Sequence, residues 1–258
     1  MIAKGKAIPS VLRIPLSLYS WVLAICATIL FSVLGVIFIF PISLCLDHGT
    51  RHLVHGVAVN WGRFLMRATP VWNLKVEGLE HIQKGKHYVI VGNHQSMLDI
   101  MVVLAALPCH FKFMAKRELY SVPFIGWHMA LAGYIGLDRQ SKHSGRAAVV
   151  KAKEWLDKGV SVLLFPEGTR SLDLKIHAFK IGAFKLARES GLEILPVVID
   201  GTGSAVPKKS LILRRNSELR VSVGKPVHAE DISDESLSRL RDQIRHEMMQ
   251  RLAKMRKS

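Results

Sequence analysis

No Asp, Glu, Lys or Arg occurs between Arg13 and Asp47, and Trp21–Leu46 is almost continuously apolar. About 20 such residues cross a bilayer as a helix, so this run constrains the chain more than any other feature. It is longer than the apolar core of a signal peptide and no convincing cleavage site follows it. The run is therefore expected to remain in the mature chain. Two full spans with a turn need more than about 40 residues and do not fit. One tilted span fits, as does an interfacial helical hairpin with Gly35 or Pro41 as its bend; a buried helix of a soluble domain is the competing reading. Lys4, Lys6 and Arg13 before the run nearly balance Arg51 and Arg63 after it. Such a balance is what the positive-inside rule expects when both ends lie on one side.

The rest of the chain is strongly basic. Lys and Arg number 36 against 20 Asp and Glu, a formal charge of +16, while the mean hydropathy is still +0.22. That excess implies an anionic partner: nucleic acid, anionic lipid or a phosphorylated substrate. Cys26, Cys45 and Cys109 show neither zinc-site spacing nor a disulfide framework, which makes a reducing compartment the default.

Leu53, Val54, Val57, Trp61, Phe64 and Leu65 recur at helical spacing with Arg63 and Arg67 between them. This predicts an amphipathic helix over 53–67, packed on a core or lying on a membrane surface. From about residue 74 short apolar strands alternate with helices. Strands are expected at His87–Val91, Phe111–Ala115, Val160–Phe165, Ile194–Ile199 and Leu219–Val223. Helices are expected up to about Leu107, over Arg146–Lys158 and over Ala178–Ser190. Alternation of this kind predicts an α/β fold with a mostly parallel central sheet flanked by helices. The organisation expected is an N-terminal membrane-anchoring helical segment, 1–73, and an α/β domain, 74–258. The latter ends in a basic amphipathic helix (Leu237, Leu240, Ile244, Met248, Leu252) that starts near Ser233.

Two segments carry chemistry. Asn93-His94-Gln95-Ser96-Met97-Leu98-Asp99 follows a buried strand, where open α/β sheets gather their sites. A carboxylate beside a histidine can fix its tautomer and support the imidazolium, making it a general base. Five residues along one helix turn through about 500°, so the two side chains would not share a face. A helix starting after Ser96, with Ser96 and Asp99 as a capping pair, would leave His94 in the loop and able to fold back. The same spacing is explained equally well by a plain helix cap. The second segment, Phe165-Pro166-Glu167-Gly168-Thr169-Arg170-Ser171, also ends an apolar strand and offers a guanidinium suited to phosphate. Gly201-Thr202-Gly203 reads as a turn. His110, His128, His143 and His177 have no partner spacing.

Together these motifs resemble the glycerolipid acyltransferase superfamily, closest to the bacterial PlsC-type 1-acyl-sn-glycerol-3-phosphate acyltransferases. Two further blocks match: Gly133-Tyr134-Ile135-Gly136-Leu137-Asp138-Arg139 and Leu195-Pro196-Val197-Val198. All four come in the family's order over residues 75–205 or so. The resemblance implies that His94 deprotonates the acceptor hydroxyl and that Asp99 orients it. It implies that Lys116, Arg139 and Arg170 hold the acceptor phosphate. Glu167 and Gly168 would shape the second loop, Glu167, Gly168 and Thr169 would count among the substrate-binding residues with Glu167 reaching the glycerol, and Asn93 and Ser96 would support the first. No cofactor, metal or covalent enzyme intermediate is implied, which disfavours Ser96 as a nucleophile. The partners implied are membrane lipids, lysophosphatidic acid, and acyl-CoA or acyl-carrier protein, with no nucleic acid. The location implied is a bacterial inner membrane with the site facing the cytoplasm. Gly136, where the family often has a bulky apolar residue, leaves the acyl preference open. The alternatives are an acyltransferase for another lysolipid, and a non-catalytic protein binding anionic membrane or nucleic acid.

Overall fold

The computed structural model describes residues 13–47, 49–138, 141–206, 212–213, 217–229 and 233–257. One seven-stranded sheet forms the centre. In chain order its strands are β1 (Trp72–Glu77), β2 (Val89–Gly92), β3 (Phe111–Lys116), β4 (Ile135–Leu137), β5 (Ser161–Leu164), β6 (Ile194–Asp200) and β7 (Ser217–Val223). Across the sheet they run β1-β7-β6-β2-β5-β3-β4. β6, β2, β5, β3 and β4 are mutually parallel. β7 pairs antiparallel with β6 and parallel with β1, so β1 and β7 run the other way.

Alternation along the strands divides the core in two. Ile90, Leu163, Leu195, Val197 and Ile199 face α3 (His52–Ala68), α4 (Leu98–Ala106) and α5 (Ile125–Leu131). Val89, Val91, Val162, Ile194 and Val198 face α6 (Lys142–Asp157), α7 (Gly182–Glu189) and α9 (Asp234–Lys257). Burial on both faces is why the central strands read as unbroken apolar runs rather than alternating ones. β1, β4 and α5 were not among the expected elements. β4 has only three residues, and β1 alternates buried or half-buried with exposed positions through Trp72-Asn-Leu-Lys-Val-Glu77. The C-terminal helix is amphipathic as expected, but its apolar face is spent inside the fold. Leu237, Ile244, Met248, Leu252 and Met255 are all buried in the second core, and Ser233 Oγ accepts the Ser236 N–H at its start.

The N-terminal run is helical throughout: α1 (Arg13–Leu34), a π-helical turn (Gly35–Ile39) and α2 (Phe40–Leu46). At 1.5 Å per residue this is about 50 Å long. The run does not fold back on itself at Gly35 or Pro41; the chain turns after it, at Asp47 and Gly49–Arg51, so that α3 returns along it. Turn chemistry explains this: the Asp47 carboxylate accepts the Leu53 N–H at 2.8 Å, Thr50 N–H donates to the Asp47 carbonyl, and Gly49 has φ +82°. Gly35 instead permits close packing, since a Cβ there would lie 3.0 Å from His128 Nδ1. Pro41 sits at the first turn of α2, after the π turn, where its missing N–H is absorbed.

This helix is inside out. Its buried positions are Ser17, Ser20, Ala27, Ser32, Gly35 and Ser43, whereas Ile14, Leu18, Val22, Ile25, Leu30, Phe38 and Leu44 are exposed. The serines Ser17, Ser20 and Ser43 donate to carbonyls of their own helix. α3 folds back on it, with Trp61 Nε1 donating to Thr28 Oγ1 at 3.1 Å. Val54, Ala58 and Met66 of α3 belong to the first core, and position 73 falls within β1. The hairpin and the sheet domain therefore share one hydrophobic core.

Candidate active site

The loop after β2 is tied to its neighbour strand before it reaches the helix. Asn93 Nδ2 donates to the Ile199 carbonyl (2.9 Å) and its Oδ1 accepts the Ile199 N–H (2.8 Å), which extends the ladder by a side chain. His94 follows, and its Nδ1 lies 2.6 Å from Asp99 Oδ2. That same oxygen accepts the N–H groups of Gln95 (2.7 Å) and Ser96 (2.9 Å). The helix begins at Leu98, just after Ser96, whose Oγ accepts the Leu98 N–H. Cap and dyad are thus not alternatives: one carboxylate oxygen reaches back to the helix start and holds the imidazole. A carboxylate only accepts, so Nδ1 carries the proton and Nε2 has the free lone pair. Nε2 has no hydrogen-bond partner among the described residues, and 11% of the side chain is exposed.

Three further groups fix the dyad. Phe165 stacks on the His94 ring, with centroids 4.4 Å apart and planes at 16°. Thr202 Oγ1, from the short helix α8 (Thr202–Ala205), donates to Asp99 Oδ1 at 2.5 Å. Glu167 Oε1 accepts the His94 N–H at 2.9 Å.

Glu167 is buried, and its second oxygen accepts the His177 N–H at 3.1 Å. Burial pushes its carboxyl pKa above the usual range, against the pull of the His94 and His177 N–H groups. Both oxygens thus brace backbone, and Glu167 acts as the strut between the two loops. Ser171 N–H closes the brace by donating to the His94 carbonyl at 2.8 Å. Gly168 has φ +73°, and a Cβ there would come within 2.8 Å of Lys180 Nζ. Thr169 is exposed and Arg170 half-buried, with no ion pair to Arg170 among the described residues.

Topology brings Lys116 to the same edge. β2, β5, β3 and β4 are parallel, so His94, Glu167 and Lys116 all lie at carboxyl ends of adjacent strands. Lys116 is exposed and pairs with Glu118 at 2.7 Å. Arg139 follows β4 but lies outside the described residues.

Several contributors escape sequence reasoning. Thr202 sits in a segment legible only as a turn. His177 lacks partner spacing, yet its backbone N–H serves Glu167. α9 buttresses the second loop from behind: Arg245 donates to the carbonyls of Ile176 and His177 (2.9 and 2.7 Å), and Arg256 to those of Leu174 and the Asp200 carboxylate, both at 2.8 Å. Only their place on a helix with one apolar face could have hinted at this. His55, His110 and His128 gather instead around Lys112, near the amino end of β3.

Comparison with known proteins gives the family. Residues 73–200 match the family model described as Acyltransferase. A 1-acyl-sn-glycerol-3-phosphate acyltransferase of Saccharomyces cerevisiae is 33% identical over 212 residues, 81% of this chain and 69% of its own length. The chain belongs to the glycerolipid acyltransferase superfamily. Another superfamily member with that name, from Borreliella burgdorferi, is 30% identical over 69% of this chain and 70% of its own. The chloroplastic enzyme of Arabidopsis thaliana is 34% identical over 79% of this chain; the match spans only 58% of that longer relative. Within the superfamily the crystal structure of the 1-acyl-sn-glycerophosphate acyltransferase PlsC of Thermotoga maritima superposes with a TM-score of 0.79. It is 26% identical, over 95% of this chain and 97% of that one. The strand-end loops bearing His94 and Glu167 both fall inside the matched family region.

Proposed function

We propose that the chain is a 1-acyl-sn-glycerol-3-phosphate acyltransferase, transferring an acyl group from a thioester donor to the sn-2 hydroxyl to make phosphatidic acid. The observation that carries it is the 2.6 Å His94–Asp99 contact, which leaves Nε2 unpaired at a strand end flanked by cations. Nε2 takes the proton of the acceptor hydroxyl as its oxygen attacks the thioester carbonyl. The tetrahedral intermediate collapses, the C–S bond breaks, and the imidazolium returns the proton to the departing thiolate. Asp99 stabilises the imidazolium between the two steps. No step is assigned to a metal, a cofactor or an acyl-enzyme. Arg170, Lys116 and Arg139 hold the acceptor phosphate, and the donor is acyl-CoA or acyl-carrier protein.

The inside-out N-terminal helix supports a membrane setting, because its apolar face has no counterpart in the fold and lipid is its natural solvent. The location proposed is a bacterial inner membrane, with the site on the cytoplasmic side. Purified protein offered both donors and a panel of lysolipids is expected to turn over lysophosphatidic acid fastest, and His94→Ala to lose activity by a factor of about 100 or more while staying membrane-bound. Faster turnover of a lysolipid with a larger head group would replace the acceptor assignment; near-normal turnover by the variant would remove the base.

A further inference from the structure

A second basic site lies at the opposite edge of the sheet. A cavity of about 320 Å³ is lined by Ser43 and Arg51 of the hairpin and by Lys151, Glu154, Trp155 and Lys158 of α6 and its end. Lys158 leads into the start of β5, whereas Glu167 follows its end. At about 3.3 Å per residue the four residues of β5 alone hold the two sites more than about 10 Å apart.

Its chemistry favours an anion. Three cations face one carboxylate, and Lys151 and Glu154 have no ion-pair partner among the described residues. Arg51 gives one bond to the Leu131 carbonyl (2.6 Å) and keeps most of its five N–H donors. Two cations approach the Trp155 ring, Lys158 Nζ 5.1 Å and Lys112 Nζ 4.7 Å from its centroid. The indole is 8% exposed, and its N–H, a donor only, has no partner among the described residues. Lys112 is fully buried and, among the described residues, hydrogen-bonded only to His110 Nε2, a neutral acceptor, at 3.0 Å.

Position narrows the anion to a lipid. Ser43 and Leu44 belong to the last turn of the apolar run, directly before the polar bend at Asp47–Arg51. Leu44 and Leu46 are 62% and 64% exposed, and Val150, beside Lys151, is 60% exposed. A free phosphate has no use for such an apolar rim, whereas a phospholipid satisfies cavity and rim together, head group inside and acyl chains along the helix. We infer that this cavity binds the phosphate of an anionic membrane phospholipid at the head-group level, separately from the catalytic site. The inference rests on the reading of the N-terminal helix as membrane-facing.

Vesicle co-sedimentation without acyl donor tests it. Phosphatidylcholine vesicles are compared with vesicles that also contain phosphatidylglycerol. The wild type is expected to bind both, and the anionic ones more tightly. Each Lys or Arg at an anionic surface contributes roughly fivefold in affinity, so Lys151→Gln with Lys158→Gln should cut the anionic preference by about tenfold or more. Removing the same charge from α9, by Arg239→Gln with Lys254→Gln, should leave it nearly unchanged. Equal losses in both double variants would mean bulk charge and overturn the site. Displacement of the protein by inorganic phosphate at constant ionic strength would overturn the lipid assignment. Binding to neither vesicle would overturn the membrane reading itself, and the site with it.

Discussion

Thr202 Oγ1 donates to Asp99 Oδ1 across 2.5 Å, tying the first residue of α8 to the carboxylate whose other oxygen holds the His94 ring. Both groups are fully buried, so neither can turn to water for a substitute. Thr202→Val keeps the shape and leaves Oδ1 unpaired, at a cost of about 1–3 kcal/mol. Where that cost falls on the charged transition state, kcat drops roughly tenfold or more. The acceptor KM should not move, because Thr202 is fully buried behind Asp99, and Thr202→Ser should restore most of kcat. A change in KM alone would show that Thr202 shapes the binding pocket rather than the dyad.

Glu167 offers a second test, because it accepts two backbone N–H groups, those of His94 and His177. Glu167→Gln is nearly isosteric but turns one acceptor into a donor, so an N–H must face an NH2 inside the protein. The expected loss of stability is about 2 kcal/mol, a fall in Tm of about 4–8 °C, with kcat lowered because the His94 backbone loses its strut. Thermal unfolding by circular dichroism and steady-state kinetics read the two effects. A variant with wild-type Tm would mean that the strut carries no load.

Arg170 and Lys116 differ in what already occupies them. Arg170 has no ion pair among the described residues, while Lys116 is exposed and paired with Glu118. A charge-assisted, bidentate contact to phosphate is worth more than that of a solvated lysine. Arg170→Ala should therefore raise the KM for a phosphorylated acceptor by about tenfold or more, from the roughly 1.5–3 kcal/mol of such a bond. Lys116→Ala should raise it less, and neither should much alter kcat at saturation. Initial rates against acceptor concentration decide the order; an unchanged KM in Arg170→Ala removes it from the phosphate site.

What could be read from the sequence followed from locality. β2, β5 and β6 are buried on both faces and announce themselves as apolar runs, and the loops at their ends carry the dyad, the strut and Arg170 within a few residues. The strand boundaries shift by one or two residues because helix and strand ends have no sharp chemical mark except a cap. Gly35 and Pro41 misdirect the bend, since glycine serves close packing against His128 and proline follows a π turn. Thr202, Arg245 and Arg256 act across 68 to 103 positions of chain, and nothing local distinguishes them from a turn residue or a solvated helix face. The spacing of His94 and Asp99 is ambiguous for a related reason: Asp99 caps the helix and holds His94 at once, so a local pattern cannot separate the roles.

The histidines that the site does not use should govern stability at acid pH. His110 is pushed down to about 2 and His128 to about 4, by burial first and by the nearby Lys112 charge second; His55 is held well below its usual value for the same reasons. The folded chain keeps these rings neutral, whereas the unfolded chain protonates them near pH 6.5. As pH falls below about 6.5 the unfolded state binds protons the folded state refuses, and stability declines down to about pH 4. Each histidine contributes up to about 1.4 kcal/mol per pH unit. Lys112, lowered to about 7 by burial and Arg51 with Asp47 opposing, has the same sign: stability rises from about pH 7 toward the pKa of about 10.4 that a lysine has unfolded. Chemical denaturation at a series of pH values should give a steep acid slope in the wild type. His110→Gln with His128→Gln should flatten it by close to two protons between pH 4 and 6.5. An unchanged slope would mean that the acid sensitivity arises elsewhere than in this cluster.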